Sequence, residues 1–463
     1  MKTKNNWAIL PYNVSKKSDF YLISTLLGSW AILRDDEFRR FQRFQIEENS
    51  GLFNRLKDSG IVVAQDNFKK VLEDYRQLNG NLFTDVSLFI IVVTTKCNLK
   101  CSYCQSKAGP GQDMSLEVAA KTLDIILSTR NRSGTLEFQG GEPLLNWPVI
   151  EYLIKNSKKL SKGNKDLHVS LVTNGLLLTK EKIDFLKKHK ASICVSLDGP
   201  RKVHDKSRIL NEKKAIGSYN LTVKALKLLK RNNYKLFDLL PTITRYSFPY
   251  YREIIDEYVK WGENTIALRY MNKLGMAHAG WNRLGYTPDE FNNFWSRSMD
   301  YILYLNSKGI DIKERIAYVI LQKVLNKKDP FYVDISSPCG GGRSTLAFTP
   351  SGDVYPCDEA RMLGEDIFKL GNVMENTYPQ LMSSPNTFYT CQASLLDIWD
   401  YASAYKNWSG TCPVLNYCYQ RSPVTKICLT PLYKVLNFQF DYIFEKIAND
   451  KKALAIFKKW VYT

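Results

Sequence analysis

Between residues 86 and 270 short β-branched apolar runs alternate with longer stretches whose apolar positions recur at helical spacing. The runs 87–94 (SLFIIVVT), 135–139 (TLEFQ), 167–173 (LHVSLVT), 192–197 (SICVSL), 236–243 (LFDLLPTI) and 265–270 (TIALRY) predict strands. Segments 115–129, 147–160, 180–189, 218–231 and 249–261 carry the 3.6-residue pattern and predict amphipathic helices between them. Alternation of this kind predicts an α/β fold with a parallel sheet. A polar or glycine-bearing motif follows each of the first four strands: a cysteine loop, GGEP, TNG and SLDGP. Parallel barrels build their sites from loops at the C-terminal strand ends. The expectation is therefore a partial parallel (β/α)6 barrel over 86–270, with all four motifs at one mouth.

The flanking regions read differently. In 1–85, DFYLIST and SWAILR predict a β-hairpin, and DDEFRRFQRF, SGLFNRLKDSG and DNFKKVLEDYRQL predict short amphipathic helices. Two strands followed by helices suggest a winged-helix-like module, a unit able to take a peptide as an added strand on an exposed edge. Residues 271–335 predict a helical bridge. Thr287-Pro288-Asp289-Glu290 places an N-cap, a proline at the first helical position and a glutamate three residues after the cap; this helix stops at Gly309 and a second covers 312–326. Residues 336–463 hold a hairpin turning at Ser351-Gly352-Asp353, flanked by Cys339 and Cys357, and then Cys391, Cys412, Cys418 and Cys428.

Composition changes this picture in two ways. The formal net charge of +19 raises nucleic acid or an acidic peptide as a partner. The lysines of KEKIDFLKKHK and VKALKLLKR, however, interleave with apolar residues at helical spacing, which favours solvated outer helix faces over a nucleic-acid surface. Ten cysteines with no signal-peptide pattern point to a reducing, cytoplasmic setting and to metal ligation rather than disulfides. No apolar run approaches the roughly 20 residues of a membrane helix.

The chemistry centres on IVVTTKCNLKCSYC, where Cys97, Cys101 and Cys104 are spaced C-x3-C-x2-C after a buried strand. Thiolates suit iron–sulfur clusters and zinc. Three of them hold three irons of a [4Fe–4S] cube and leave the fourth open, whereas structural zinc wants a fourth ligand that this loop lacks. With Tyr103 before the third cysteine, the loop resembles the cluster loop of the radical S-adenosylmethionine (SAM) enzymes. That resemblance implies a [4Fe–4S] cluster whose open iron chelates SAM, and a 5′-deoxyadenosyl radical on its cleavage. It also implies a SAM pocket drawn from the motifs that follow. Gly140, Gly141, Glu142 and Pro143 would take the methionyl amino group. Asn174, Ser196 and Asp198 would serve ribose or shape the pocket. Arg208 suits the SAM carboxylate, since guanidinium matches carboxylate geometry. Cys194, inside the fourth strand, reads as a core cysteine. His168, His189 and His278 read as bland, and His204 as a candidate site wall.

The C-terminal third is similar to the SPASM domain of peptide-modifying radical SAM enzymes, which binds auxiliary [4Fe–4S] clusters. Cys339 and Cys357 match its C-x12-G-x4-C start, but Ser409 and Ser422 stand where two further cysteines are usual. At most one complete auxiliary cluster is expected, from Cys391, Cys412, Cys418 and Cys428, with Cys339 and Cys357 left as partial ligands, a zinc half-site or free thiols. Asp358 or Glu359, beside Cys357, is a candidate catalytic base. The stretches LPYNVSKKSDFYLISTLLGSWAILRDDEF, VYPCDEARMLGEDIFKLGNV and TCPVLNY resemble the His-Xaa-Ser system radical SAM maturases. That implies a ribosomally made precursor peptide with His-Xaa-Ser repeats as substrate, oxidative cross-linking as the reaction, a partner maturase, and a low-potential reductant such as flavodoxin or ferredoxin. The alternatives are a maturase of a whole protein, such as a sulfatase or quinohemoprotein subunit, and a peptide-binding scaffold whose chemistry is lost.

Overall fold

The computed structural model describes residues 6–80, 84–106, 111–161, 163–211, 217–395, 404–425 and 429–462. The first strands are β1 (Trp7–Ile9), β2 (Tyr12–Lys16), β3 (Tyr21–Thr25) and β4 (Trp30–Leu33). They are followed by α1 (Asp35–Gln42), α2 (Gly51–Ser59), β5 (Val62–Ala64) and α3 (Phe68–Asn79). Strands β2, β3 and β4 form an antiparallel sheet in that order, and β1 pairs with β5. Ser50 caps α2 by accepting the Phe53 N–H, and Gly60 ends it in the left-handed region. Alternation along β3 sends neighbouring residues to opposite faces. Ile23 joins Leu33, Phe41, Phe53 and Leu56 in a core of the module's own, while Leu22 joins the main core with Phe20. The second face is thereby docked. The Trp30 indole donates to the Val324 carbonyl at 2.8 Å, the Ser24 hydroxyl to the Ala404 carbonyl at 2.7 Å, the Asn407 amide to the Thr25 carbonyl, and Lys17 pairs with Asp441.

The barrel follows as β6 (Leu88–Thr94), β7 (Leu99–Cys101), α4 (Leu116–Ser128), β8 (Ser133–Gly140), α5 (Trp147–Ser161), β9 (Asp166–Thr173) and α6 (Lys180–Lys188). It continues through β10 (Ser192–Ser196), α7 (Arg201–Ser207), β11 (Arg208–Leu210), α8 (Ser218–Arg231), β12 (Phe237–Leu240) and α9 (Tyr251–Trp261). Strands β6, β8, β9, β10 and β12 are parallel neighbours in chain order, as the alternating pattern predicts. Their outward residues, among them Phe138, Leu171, Ile193, Val195 and Leu239, are buried under the helices. The sixth predicted strand contracts to β13 (Thr265–Ile266) and stands outside this ladder. The Leu268 N–H just beyond it is taken by the Glu314 carboxylate at 3.1 Å.

The bridge contains α10 (Gly275–Ala279), α11 (Trp281–Leu284), α12 (Pro288–Ser307), β14 (Lys313–Glu314), which pairs with β13, and α13 (Arg315–Leu325). The capping box at Thr287 and Glu290 forms. The last third holds β15 (Thr345–Phe348), β16 (Asp353–Tyr355), α14 (Asp358–Leu363), β17 (Gly371–Asn372), α15 (Tyr378–Met382), α16 (Pro385–Leu395), α17 (Pro413–Gln420), α18 (Pro431–Asn449) and α19 (Lys451–Tyr462). β15 lies parallel to β6, so the eight-stranded sheet runs β12-β10-β9-β8-β6-β15-β16-β17. The β15–β16 hairpin turns at Gly352, where φ is 86°. No helix among the described residues is long and apolar enough to cross a membrane.

Candidate active site at the strand ends

β6 delivers the cysteine loop to the mouth, and hydrogen bonds from three directions hold it there. Its middle is β7, antiparallel to β11, with Cys101 opposite Arg208. Ser102 N–H donates to Ser207 O and the Asn211 amide to Cys97 O. From the bridge, Met276 N–H donates to Cys104 O and the Gln105 amide to Asn272 O. From β8, Gly141 N–H and Glu142 N–H donate to Thr94 O and Lys96 O at 2.9 and 2.8 Å. The two glycines permit this last approach. A Cβ on Gly140 would stand 2.3 Å from Thr94 O, and one on Gly141 2.2 Å from Lys96 O. Their close approach is thus to the cysteine loop itself, a contact the motif alone did not disclose.

Glu142 is fully buried. Its carboxylate accepts the Leu144 N–H, the Thr173 hydroxyl and the Asn174 N–H at 3.1, 2.7 and 2.8 Å. Burial pushes its carboxyl above the ordinary range, and these donors pull against that. Pro143 starts the short turn after it, and Asn146 in that turn donates to Val93 O and Met114 O. The Asn174 amide reaches the Asn98 side chain in the cysteine loop at 2.7 Å. Ser196 closes β10 at the same end.

Asp198 and Arg208, both expected at the SAM pocket, are engaged with each other in this structure: Arg208 Nε and Nη2 each donate to Asp198 at 3.1 Å. The same carboxylate accepts the Tyr103 hydroxyl at 2.5 Å and the Thr242 N–H at 2.9 Å. Arg208 also lies over the Tyr103 ring, 5.4 Å from its centroid. The physical reason for the pairing is electrostatic. A buried guanidinium must be paired, and Asp198, 1% exposed and opposite β7–β11, is the nearest carboxylate. His204, buried behind the pair and held neutral by burial with its pKa lowered to about 4, receives the Asp198 N–H at 3.4 Å. It serves this brace rather than a site wall.

The Cys97 and Cys101 thiols are pushed up to about 11 and about 12, mainly by burial, and each feels Cys104 beside it; Arg208 pulls both back down. As placed, no three His, Cys, Asp or Glu side chains among the described residues form a closed ligand set. The donor set nevertheless fits an open-sided iron–sulfur cluster: three soft ligands on one short braced loop, with a fixed cation to offset thiolate charge.

Cys339, Cys357 and Cys412, with Arg269, Asp334 and Glu359, line one cavity whose space of about 730 Å³ is partly open to solvent. Cys391 approaches from the side, its thiol 3.7 Å from Gly341 O. Cys418 is set apart beside Arg421 and Glu365, and Cys428 lies outside the described residues. Cys412 caps α17, and Cys418 lies six residues on, about 600° around the helix, so the two face different ways. Among the described residues the cysteines that share this cavity are Cys339, Cys357 and Cys412. Of the two candidate bases, Asp358 is engaged by the Arg361 guanidinium. Glu359 is pushed up to about 7 by burial and by Asp334 and Asp358, against Arg269 at 3.8 Å.

Cys194 is no core residue. It lines a second cavity, within the barrel, enclosing about 1740 Å³ of space that is partly open to solvent. An inward-facing position on a strand has the same sequence signal as a core position, so only the assembled sheet reveals it.

Residues 91–257 match the radical SAM superfamily, and residues 339–428 the SPASM iron–sulfur cluster-binding domain. The radical SAM cyclopropyl synthase TigE of Paramaledivibacter caminithermalis is 27% identical over 249 residues, 48% of this chain and 50% of that protein. This chain thus spans half of TigE's length. The cysteine-type anaerobic sulfatase-maturating enzyme of Clostridium perfringens is 28% identical over 320 residues, 65% of this chain and 80% of that enzyme. Among solved structures, anSMEcpe with bound AdoMet superposes with a TM-score of 0.67 at 21% identity, covering 79% of this chain and 98% of that one. Streptococcus suis SuiB bound to precursor peptide SuiA superposes at 0.54 and 14% identity, covering 91% and 100%.

Proposed function

This chain is a radical SAM enzyme with a SPASM domain, working with a [4Fe–4S] cluster and SAM, and from that premise we propose that it modifies, by oxidative cross-linking, a ribosomally made precursor peptide carrying His-Xaa-Ser repeats. The observation that carries the reading is the cysteine loop, braced at the mouth of a barrel whose lumen opens beneath it. When bound, the cluster and SAM supply a 5′-deoxyadenosyl radical that takes a hydrogen atom from the substrate. Cys97, Cys101 and Cys104 would hold the cluster. Glu142, with Gly140, Gly141 and Pro143 setting its position, would receive the SAM ammonium, because it is a buried carboxylate with no cationic partner within 4 Å among the described residues. Asn174 and Ser196 would face the nucleoside. Asp198 and Arg208 would hold Tyr103 and β7 in place.

Glu359 is the better placed of the two expected bases, since it lines both cavities and Asp358 is engaged. It would take the proton released as the cross-link forms. Cys339, Cys357 and Cys412, with Cys391 to one side, would hold an auxiliary iron–sulfur group, which would accept the electron the substrate gives up as the cross-link forms. The N-terminal module supports the peptide reading: β2 and β4 are edge strands paired only to β3, a form suited to adding a peptide strand. SuiB, a structural neighbour, was solved with its precursor peptide. A partner maturase, a low-potential flavodoxin or ferredoxin and a cytoplasmic setting complete the proposal.

The test is anaerobic reconstitution beside a Cys97→Ala/Cys101→Ala/Cys104→Ala variant, with the neighbouring encoded peptide as substrate. The expected outcome is about four irons lost in the variant, SAM cleavage abolished, and a peptide mass shift of about −2 Da per cross-link with wild type only. Wild type without iron would sink the reading, and SAM cleavage without any peptide product would remove its substrate.

A further inference from the structure

Barrel interiors are ordinarily packed with branched apolar side chains. Here the inward positions include Glu137 and Gln139 on β8, Ser170 on β9, Ser192 and Cys194 on β10 and Asp238 on β12, beside the apolar Leu88 and Ile90 on β6, Val172 on β9 and Leu240 on β12. Adjacent registers stack them: Glu137 beside Ser170, Ser170 beside Ser192, and Cys194 beside Asp238. The result is a lumen below the strand ends in which charged and hydroxyl groups stand among apolar ones. Five carboxyl groups line it (Glu137, Asp238, Asp334, Asp358 and Glu359) against two guanidiniums, Arg269 and Arg315. Arg269 is held by Asp334 at 2.6 Å, and Asp358 by Arg361 outside the lining. That leaves Glu137, which accepts the Gln139 amide and feels Arg269 only at longer range, and the solvent-facing Asp238 without an ion-pair partner within 4 Å among the described residues.

Two further observations point to a ligand. The Thr345 hydroxyl, 1% exposed, lines this space and has no hydrogen-bond partner. Three aromatic rings, Tyr270, Phe331 and Tyr332, line the same wall, with Phe331 60% exposed and at a φ of 59°. Carboxylates and aromatic rings lining one space are the chemistry that holds an organic cation.

The geometry points to the lumen as a side-chain pocket for a cationic residue (ammonium, guanidinium or imidazolium) of the substrate peptide, with Glu137 and Asp238 as its charge partners. This deepens the peptide-modifying reading and rests on it. Burial holds the Glu137 carboxyl above its ordinary range, so a cation beside it lowers the cost of ionising it. Thr345 and Ser170 supply hydroxyls for a bound ammonium or guanidinium. Arg315 sets the limit of the pocket, since a doubly charged cation would meet it.

Cys194 is a built-in reporter of the charge sensed there, with Glu137, Asp238 and Arg315 all acting on it. The reconstituted protein with SAM is treated with methanethiosulfonates of similar size bearing a trimethylammonium or a sulfonate group. The modification rate at Cys194 is read by mass spectrometry of digests, and the cation-to-anion ratio is normalised to the ratio for N-acetylcysteine. The expected normalised ratio is about tenfold or more, falling toward one in Glu137→Gln/Asp238→Asn. Acetyl-Gly-Lys-Gly-amide slows labelling about threefold while acetyl-Gly-Glu-Gly-amide does not. A normalised ratio of one or less, no protection by the lysine peptide, or no labelling by either reagent overturns the proposal. The wild-type ratio and the peptide protection need no variant, so misfolding of the double variant leaves both readouts in place. SAM cleavage measured in the same samples separates the outcomes: its loss strikes the enzyme reading, whereas a flat ratio with cleavage intact strikes only the pocket.

Discussion

At the residue scale, the Asp198–Arg208–Tyr103 brace is the point on which the site's geometry most depends. Removing the charge from one partner of a buried ion pair leaves the other uncompensated. Asp198→Asn should therefore cost about 3–5 kcal/mol in denaturant unfolding. Arg208→Lys should rescue little, because a point charge replaces the two-pronged contact. Glu314 offers a pH test away from the chemistry. It is fully buried, accepts the Leu268 and Ala317 N–H groups, and is pushed up to about 7 from 4.5 by burial. Between those values the folded state keeps a proton that the unfolded chain has lost. Stability should fall as pH rises from about 4.5 to about 7 and then level off, by about 3 kcal/mol in all. Thermal unfolding of Glu314→Gln against wild type across that window should show this part of the slope removed. The motif SLDGP…HDKSR displayed both brace residues, but not that they meet. Tyr103 and Asp198 are 95 positions apart, and pairing at that separation leaves no periodic trace.

At the element scale, the loop between β6 and β8 is shaped by backbone contacts that only small residues permit. In Gly141→Ala the new Cβ would overlap the Lys96 carbonyl, so the cysteine loop must shift. The expected result is a loss of about 1–3 kcal/mol and poor iron retention after reconstitution. Gly51→Ala, whose Cβ would meet nothing within 4 Å, should leave iron content at the wild-type level. Strand and helix positions were largely legible because burial on one face imposes a period of 2 or 3.6. The predicted helix 218–231 is α8 over the same residues, and 180–189 is α6 less its last residue. The sixth strand was misjudged in length because its apolar run is buried without continuing the ladder; the Leu268 N–H, beyond β13, goes to the Glu314 carboxylate instead.

At the scale of the whole molecule, the N-terminal module has its own core yet shares the main one through Phe20, Leu22 and Trp30. Trp30→Ala with Asn407→Ala should raise amide hydrogen exchange in β3 and β4 about tenfold for each 1.4 kcal/mol of docking lost. Exchange in β8 and β9 should be unchanged, since neither side chain bonds to the barrel strands. The shared core also explains why the boundaries at 85, 270 and 335 are marks of pattern rather than breaks in packing. The amino-acid sequence alone determined the α/β alternation, the order of motifs along the strands and the three-cysteine loop. Each of these is a local matter of spacing, side-chain period or ligand chemistry. Only the tertiary structure decided which cysteines of the last third gather, that Arg208 answers Asp198, and that Glu137, Cys194 and Asp238 face a lumen instead of a packed core. Those outcomes depend on which way each strand and helix turns its faces once the sheet has assembled. Polar and apolar patterning specifies that a face is buried, but not what it is buried against.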